Sequence, residues 1–365
     1  MKIKAAIVNE AGGDITLDDV QIDEPKANEV LIKMVGTGVC HTDLGVQAQH
    51  NPTPLPIALG HEGAGIVEKV GPGVIDVERG DHVVVSFSYC NSCQNCLEGH
   101  PAACERFGEL NFGGAHLDGT TRLSTVHQKE VATLFGQSSL ATFAVAHTNN
   151  LVKVDKDVDL RLLGPLACGI QTGAGTVLNK LKPGFGDSIV IFGCGGVGLS
   201  GVMAAALTGA KHIIAVDIIP ERLELAKKLG ATHTINGEEV DTVEEVHRIT
   251  EKGSDYVLEA TGVPALIKQG IRSLRPRGTM ATVGVGPDTT LNIHDELIPT
   301  NRTIMGVVEG DSIPKLFIPQ LIEYYKAGQF PFDEFIQLYP FEKLSEAIDD
   351  MKSGKTVKPV ITFDK

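Results

Sequence analysis

The chain has 365 residues and a formal net charge of −14, with an isoelectric point near 5.3. The length exceeds that of a usual single domain, so two domains are expected; the acidic surface repels phosphate backbones and excludes nucleic acid as a partner. No apolar run is long enough to span a membrane, and the opening "MKIKAAIVNEAGG" turns polar too soon for a signal peptide, so the expectation is a cytoplasmic protein with no membrane partner.

Residues 1–169 alternate short β-type runs with Gly, Pro and Asp turns: "KIKAAIV", "EVLIKMVG", "GAGIVEKVG" and "GDHVVVSF". This texture predicts an antiparallel, barrel-like β domain. From about residue 170 strands alternate with helices. "SIVIFG" reads as a buried strand, "GVGLSGVMAAALTGA" as a helix and "HIIAVD" as a strand. "PERLELAKKLGA" reads as a helix that opens on Pro220 and closes on Gly230. "DYVLEATG", "GTMATVGVG" and "TIMGVV" follow as strands. Such alternation predicts a parallel sheet covered by helices on both faces, an α/β unit. Two C-terminal helix patterns, "KLFIPQLIEYYKAG" and "EKLSEAIDDMKSG", precede a last strand, "KPVITFDK".

Seven cysteines occupy a chain read as cytosolic, where thiols serve metals or catalysis more often than disulfides. Cys90, Cys93, Cys96 and Cys104 form a C-x2-C-x2-C-x7-C set. Four thiolates on one short lobe suit a closed, structural zinc site, with an iron–sulfur cluster as the alternative. Cys40 in "GVCHTD", His61 in "LGHEGAG" and Cys168 in "GPLACGIQTGAG" lie in glycine-flanked segments. Two cysteines and one histidine make a three-ligand zinc set that keeps a position open for substrate. Cys194 reads as a small interior residue.

"IVIFGCGGVGLSG" carries G-x-G-x-x-G after a strand and at the start of a helix, the context of a dinucleotide site. The motif runs through Gly193, Gly195, Gly196, Val197 and Gly198. Gly193 allows the tight turn, Gly195 lets a pyrophosphate approach the backbone, and Gly198 allows close helix–strand packing. Asp217 ends the next strand about twenty residues on, where a carboxylate binds ribose hydroxyls and repels a 2′-phosphate. This favours NAD over NADP, although Arg222 stands near enough in sequence to accommodate a 2′-phosphate.

These motifs, in this order, together with the terminal "GKTVKPVITF", resemble the zinc-dependent medium-chain alcohol dehydrogenases over almost the whole chain. "FGQSSLATFAV" and "GVVEGDSIPKLFIPQLIEYYKAGQFPFD" are most similar to the aryl (benzyl) alcohol dehydrogenases of that family. The resemblance implies a GroES-like, β-rich catalytic domain of residues 1–169, completed by 309–365, and a Rossmann, doubly wound coenzyme domain of residues 170–308. It implies two zinc ions per chain, a catalytic one on Cys40, His61 and Cys168 and a structural one on the four-cysteine lobe. Glu62 would lie behind the catalytic metal, Asp43 would orient His61, and Thr42 would bond the substrate oxygen and begin a proton relay. His41 and Lys358 would face the coenzyme pyrophosphate, and Val283 and Val307 the nicotinamide carboxamide. A homodimer or homotetramer is expected, through the edge strand near "TIMGVV".

The expected reaction is oxidation of a primary, benzyl-type alcohol to its aldehyde with hydride transfer to NAD, and the reverse. Many relatives carry a relay histidine three residues after the threonine that matches Thr42; here Gly45 stands there, with His50 close in sequence. A zinc-free quinone reductase would lack the ligands at 40, 61 and 168. A polyol dehydrogenase usually carries glutamate where Cys168 stands. A glutathione-dependent formaldehyde dehydrogenase would carry an arginine where Gly108 stands. An aliphatic alcohol dehydrogenase of the same family remains a further alternative. A non-catalytic NAD- or zinc-binding protein is the reading from another class, and the open three-ligand set with Thr42 argues against it.

Overall fold

The computed structural model describes residues 1–363. Its chain divides into two compact units. One comprises Met1–Cys168, Ile313–Gln320 and the chain from Asp333 on; the other comprises Gly169–Ser312 and Leu321–Phe332.

The first unit is β-rich because its strands feed cores on both of their faces. In the strand Lys2–Val8, side chains alternate. Ile3, Ala5 and Ile7 join Val20, Ile22, Leu123 and Val131 in one core. Ala6 and Val8 face a second core with Leu59, Phe87 and Leu134. Lys2–Val8, Ile15–Ile22, Leu123–Thr125, Glu130–Thr133 and Ile57–Ala58 close into a barrel. A second sheet is built around the long strand Glu29–Gly38, which pairs antiparallel with Gly63–Val70, with Phe143–His147 and with the C-terminal strand Lys358–Thr362. The predicted antiparallel texture holds except at two pairs. Ile57–Ala58 runs parallel to Glu130–Thr133, and Ile336–Pro340 runs parallel to Lys358–Thr362.

That C-terminal pairing matters for function. Val360 lies opposite Gly38, which carries Lys358 to the segment that follows the strand. There "GVCHTDL" forms the helix His41–Gln47, with Cys40 at its N-cap. The Asp43 carboxylate reaches back to accept the Cys40 N–H at 3.1 Å, satisfying a donor that the helix start leaves orphaned.

The second unit holds a six-stranded, fully parallel sheet. Numbered along the chain, its strands lie in the order 3-2-1-4-5-6, the Rossmann arrangement. The strand Ser188–Phe192 is buried along its whole length, as a central parallel strand requires. The helices Pro220–Lys228 and Pro264–Ser273 open on proline, and Thr242–Thr250 is capped by the Asp241 carboxylate.

The unit boundaries differ from the expectation that 309–365 completes the first domain, because 309–312 and 321–332 pack with the second unit. Buried polar groups hold the first of these segments. The Gln171 amide donates to the Glu309 carboxylate at 3.1 Å, the Ser312 hydroxyl donates to the Gln171 carbonyl at 2.9 Å, and the Asn179 amide donates to the Gly310 carbonyl at 3.0 Å. In the second segment the Tyr325 and Phe332 rings stack with centroids 4.6 Å apart. Among the described residues, no helix is long and apolar enough to cross a membrane.

Candidate metal and dinucleotide sites

Among the described residues, two clusters of side chains that could ligate a metal stand in the first unit. In the four-cysteine lobe the ligand atoms of Cys90, Cys93, Cys96 and Cys104 all lie within 4.8 Å of one another. The Cys90 and Cys96 sulfurs are 3.9 Å apart and those of Cys93 and Cys104 4.0 Å apart. A tetrahedron with zinc–sulfur bonds of about 2.3 Å has edges of about 3.8 Å, close to the spacing of these two pairs. They are free cysteines, well beyond disulfide length. Backbone N–H groups point at the sulfurs, Cys90 to Cys104 at 3.4 Å and Cys93 to Cys90 at 3.3 Å. Burial raises the Cys90 thiol, but hydrogen bonds from Ser92 and Cys93 outweigh it and bring the pKa down to about 6. Cys93 is also lowered, whereas burial pushes Cys96 and Cys104 up. A cation at the centre would favour the thiolate form of all four.

The second cluster brings Cys40, His61, Glu62 and Cys168 within the same 4.8 Å. His61 is fully buried, and its Nδ1 sits 3.2 Å from the Asp43 carboxylate. That oxygen also accepts the Gly60 N–H at 2.9 Å. The other ring nitrogen, Nε2, is buried without a hydrogen-bond partner in the protein. A buried imidazole with one nitrogen fixed on a carboxylate and the other bare, among two thiols, has the donor set and second-ligand support of a metal-binding histidine. Burial opposes an imidazolium here, yet the Asp43 carboxylate and the Cys40 thiolate outweigh it and hold the His61 pKa well above its usual value. A hydrogen bond with Cys168, against burial, brings Cys40 well down. The pocket thus favours a positive charge among its donors, which fits a metal cation.

Glu62 is fully buried, and Lys358 is nearly so. The Lys358 ammonium bonds both Glu62 oxygens, at 2.9 and 3.0 Å, and the Val39 carbonyl at 3.3 Å. Burial pushes the Glu62 carboxyl up to about 7 against the pull of Lys358, with the Cys40 thiolate adding to the rise. Gly38 makes this arrangement possible, since a Cβ there would stand 1.9 Å from a Glu62 oxygen. Lys358, expected at a pyrophosphate, is instead committed to Glu62 in this structure. Its partner could not be read from sequence, because 296 residues separate the two.

The Thr42 hydroxyl lies 3.7 Å from the Cys40 sulfur. His41 and His50 are exposed. A Cβ on Gly45 would meet the Asn51 amide nitrogen at 3.1 Å, so Asn51, which the motifs did not flag, occupies the space beside the missing side chain. Gln137 is a second unflagged residue: its buried amide donates to the carbonyls of His61, Val85 and Ser86 at 3.0–3.1 Å.

In the second unit the glycine-rich turn lies at the carboxyl end of the first parallel strand. Gly193 has φ of +88°, which glycine adopts without cost. Open space surrounds a Cβ position on Gly195, whereas one on Gly198 would stand 1.7 Å from the Gly193 carbonyl oxygen. Gly196 and Val197 open the helix Gly196–Thr208. The Asp217 carboxylate accepts N–H groups from Cys194 at 2.6 Å, Ile218 at 2.8 Å and Ile219 at 3.0 Å. Arg222 lies on the following helix with its Nε buried and without a hydrogen-bond partner. Cys194 is fully buried, and burial pushes its thiol up, in keeping with an interior role. The N–H groups of Val283 and Val307 bond Glu259 at 2.9 Å and Thr282 at 3.1 Å, so a backbone contact to a ligand there falls to their carbonyls.

A Rossmann-ordered sheet and a β-rich unit with two thiol-bearing metal-ligand clusters define the class of zinc-binding dehydrogenases. Residues 26–156 match the alcohol dehydrogenase GroES-like domain, and residues 196–324 match the zinc-binding dehydrogenase domain. The chain belongs to the zinc-dependent medium-chain alcohol dehydrogenase family. It is 43% identical over 364 residues to geraniol dehydrogenase of Castellaniella defragrans, covering 99% of this chain and 97% of that protein. The crystal structure of benzyl alcohol dehydrogenase from Acinetobacter calcoaceticus is 46% identical, with a TM-score of 0.95 and 100% of both chains covered. That of an alcohol dehydrogenase zinc-binding domain protein from Burkholderia ambifaria is 48% identical, with a TM-score of 0.96 over 100% of both chains.

Proposed function

We infer that this chain oxidises primary alcohols whose hydroxyl-bearing carbon adjoins an aromatic ring or a carbon–carbon double bond, and that it also reduces the corresponding aldehydes. The observation that carries the reading is the buried, unpaired Nε2 of His61 between two cysteines, with Thr42 at its edge. Cys40, His61 and Cys168 would hold a catalytic zinc, and the four-cysteine lobe a structural one. Benzyl alcohol and geraniol, the substrates in the names of two relatives, are both primary alcohols with unsaturation next to the hydroxyl-bearing carbon. This favours that class over ethanol or secondary alcohols.

Bound zinc supplies Lewis acidity to a hydroxyl, and NAD supplies the hydride acceptor. The chain's own residues do the rest. Asp43 keeps the proton of His61 on Nδ1, leaving Nε2 as a donor. Lys358 holds Glu62 in an ion pair beside the ligands. The Thr42 hydroxyl would accept a hydrogen bond from the alcohol and hold its proton, and Gly45 supplies no base for the next transfer. Gly195 leaves room for a pyrophosphate, and the helix that starts at Gly196 favours its charge. Asp217 would take the ribose hydroxyls, which favours NAD. A homodimer or homotetramer is part of the proposal.

The test is a kinetic panel of benzyl, cinnamyl, ethyl and secondary alcohols and geraniol, with NAD and NADP, on the zinc-loaded chain. The expected ranking places benzyl, cinnamyl and geranyl alcohols first and NAD above NADP. A preference for ethanol, or for S-(hydroxymethyl)glutathione, would replace the substrate class.

A further inference from the structure

Phe135 stands out in the first unit. Its φ is +51°, in the left-handed region that a bulky side chain rarely adopts. Such conformations persist only where surrounding structure over-determines them, and they cluster at functional sites. The Phe135 ring is buried against the His61 imidazole, with centroids 4.8 Å apart. On its other sides it meets Phe112 edge-on at 5.2 Å and Phe107 at 6.3 Å.

Both of those phenylalanines lie on the helix Phe107–Phe112, which begins three residues after Cys104. The Phe107 N–H donates to the Cys104 carbonyl at 2.8 Å. Asn111 of this helix is fully buried. Its side chain pairs with the Ser88 N–H and carbonyl, at 2.8 and 2.9 Å, two residues before Cys90. Its own carbonyl accepts the Phe135 N–H at 2.9 Å. The Asn150 amide donates to the Phe135 carbonyl at 3.1 Å. Asn111 therefore ties the chain entering the four-cysteine lobe to the helix leaving it, and from there fixes Phe135 in its left-handed conformation.

We propose that Phe135, held by Asn111, is a positioning residue that couples the folded four-cysteine lobe to the orientation of His61. Asp43 fixes the imidazole by one nitrogen, and a single hydrogen bond leaves the ring free to pivot about it. The Phe135 ring removes that freedom and keeps Nε2 aimed at the ligand position. A lobe that loses its ordered shape releases Asn111, then Phe135, then His61. The inference rests on the zinc-dehydrogenase reading, since it concerns the geometry of a ligand.

The experiment measures metal binding as well as turnover. Wild type, Phe135→Leu and, as a packing control, Ile32→Val from a separate core of the same unit are loaded with zinc. Cobalt(II) is then exchanged into the three-ligand site. Phe135→Leu should keep the lobe metal, weaken metal affinity at the other site by about 10- to 100-fold, the scale of losing a ligand's outer support, and shift the cobalt d–d bands. Ile32→Val should do none of these. Wild-type affinity with an unshifted cobalt spectrum in Phe135→Leu would overturn the proposal alone. Should that variant fail to fold, the more conservative Phe135→Met decides by the same two readings, and wild-type affinity with unshifted cobalt bands in it overturns the proposal. A wild-type chain that binds metal only at the lobe overturns this proposal and the zinc-dehydrogenase reading together.

Discussion

The two metal-ligand clusters of the first unit are built on opposite principles. The lobe takes all four donors from residues 90–104, and every donor is a thiol. The other set draws on Cys40, His61, Glu62 and Cys168, with Lys358 paired to Glu62 from the C-terminal strand. The lobe is self-contained: backbone N–H groups from its own turns point at its sulfurs. The second set is surrounded by groups that do not ligate but set charge and orientation, namely Asp43, Lys358 and Phe135. A closed all-thiolate site leaves no position for a substrate, whereas a mixed set with a bare imidazole nitrogen can hold a metal and still receive one.

The sharpest way to break this contrast is to remove one ligand from each set. Cys168→Ala should abolish turnover and remove one zinc with the fold retained. Cys96→Ala should instead lower the unfolding temperature and solubility. Metal analysis, thermal unfolding and NADH formation on both variants check it. Equal effects of the two substitutions would erase the distinction.

Acid sensitivity separates the metal sites from the scaffold that carries them. His116 is buried beside Glu29 and Arg122; burial depresses its pKa to about 4 despite the Glu29 carboxylate. The unfolded chain has the ordinary histidine value, so it binds the extra proton first as the pH falls. Stability from this residue is complete above about pH 6.5 and is lost between about 6.5 and 4, amounting to about 3 kcal/mol. Urea unfolding at several pH values should show this slope in wild type and a shallower one in His116→Asn. An unchanged slope would assign acid loss to other groups.

Asp43→Asn probes the second cluster without touching a ligand. It removes the charge that fixes the His61 proton, so metal affinity there should fall by about 10- to 100-fold, while the lobe keeps its metal. Competition with a chromogenic chelator reads both sites, and parallel loss from the lobe would contradict their independence at this residue. The smallest effect is expected in the second unit. Asp217→Gly should weaken NAD by about tenfold, the value of one charge-assisted hydrogen bond, and improve NADP. The ratio of kcat/KM values for the two coenzymes is the measurement.

Sequence reading succeeded where the determinant is local. The four-cysteine spacing, the glycine-rich turn and the alternating strands and helices are properties of stretches shorter than about twenty residues. The helix at "GVCHTDL" escaped it, because Cys40 is an unusual cap and the stabilising contact is Asp43 folding back on the Cys40 N–H. Phe135 escaped it too. In "TLFGQSS" it reads as an ordinary apolar residue before a glycine, and nothing in the string announces a φ of +51° or a histidine ring against it.

The linear order of residues determined which donors exist, the periodicity that folds one unit as β-rich and the other as a Rossmann sheet, and the glycines without which the dinucleotide turn cannot form. Tertiary structure decided which donors meet. Lys358 reaches Glu62 only because the last strand pairs with Glu29–Gly38, and the room that Gly38 leaves for the Glu62 carboxylate is invisible until that strand lies beside Gly63–Val70. His61 has one nitrogen bound and one bare only because Asp43, 18 residues away, is turned back by its helix. Charge and orientation at the site come from groups distant along the chain, and a buried electrostatic environment is a sum over spatial neighbours that the one-dimensional order does not specify.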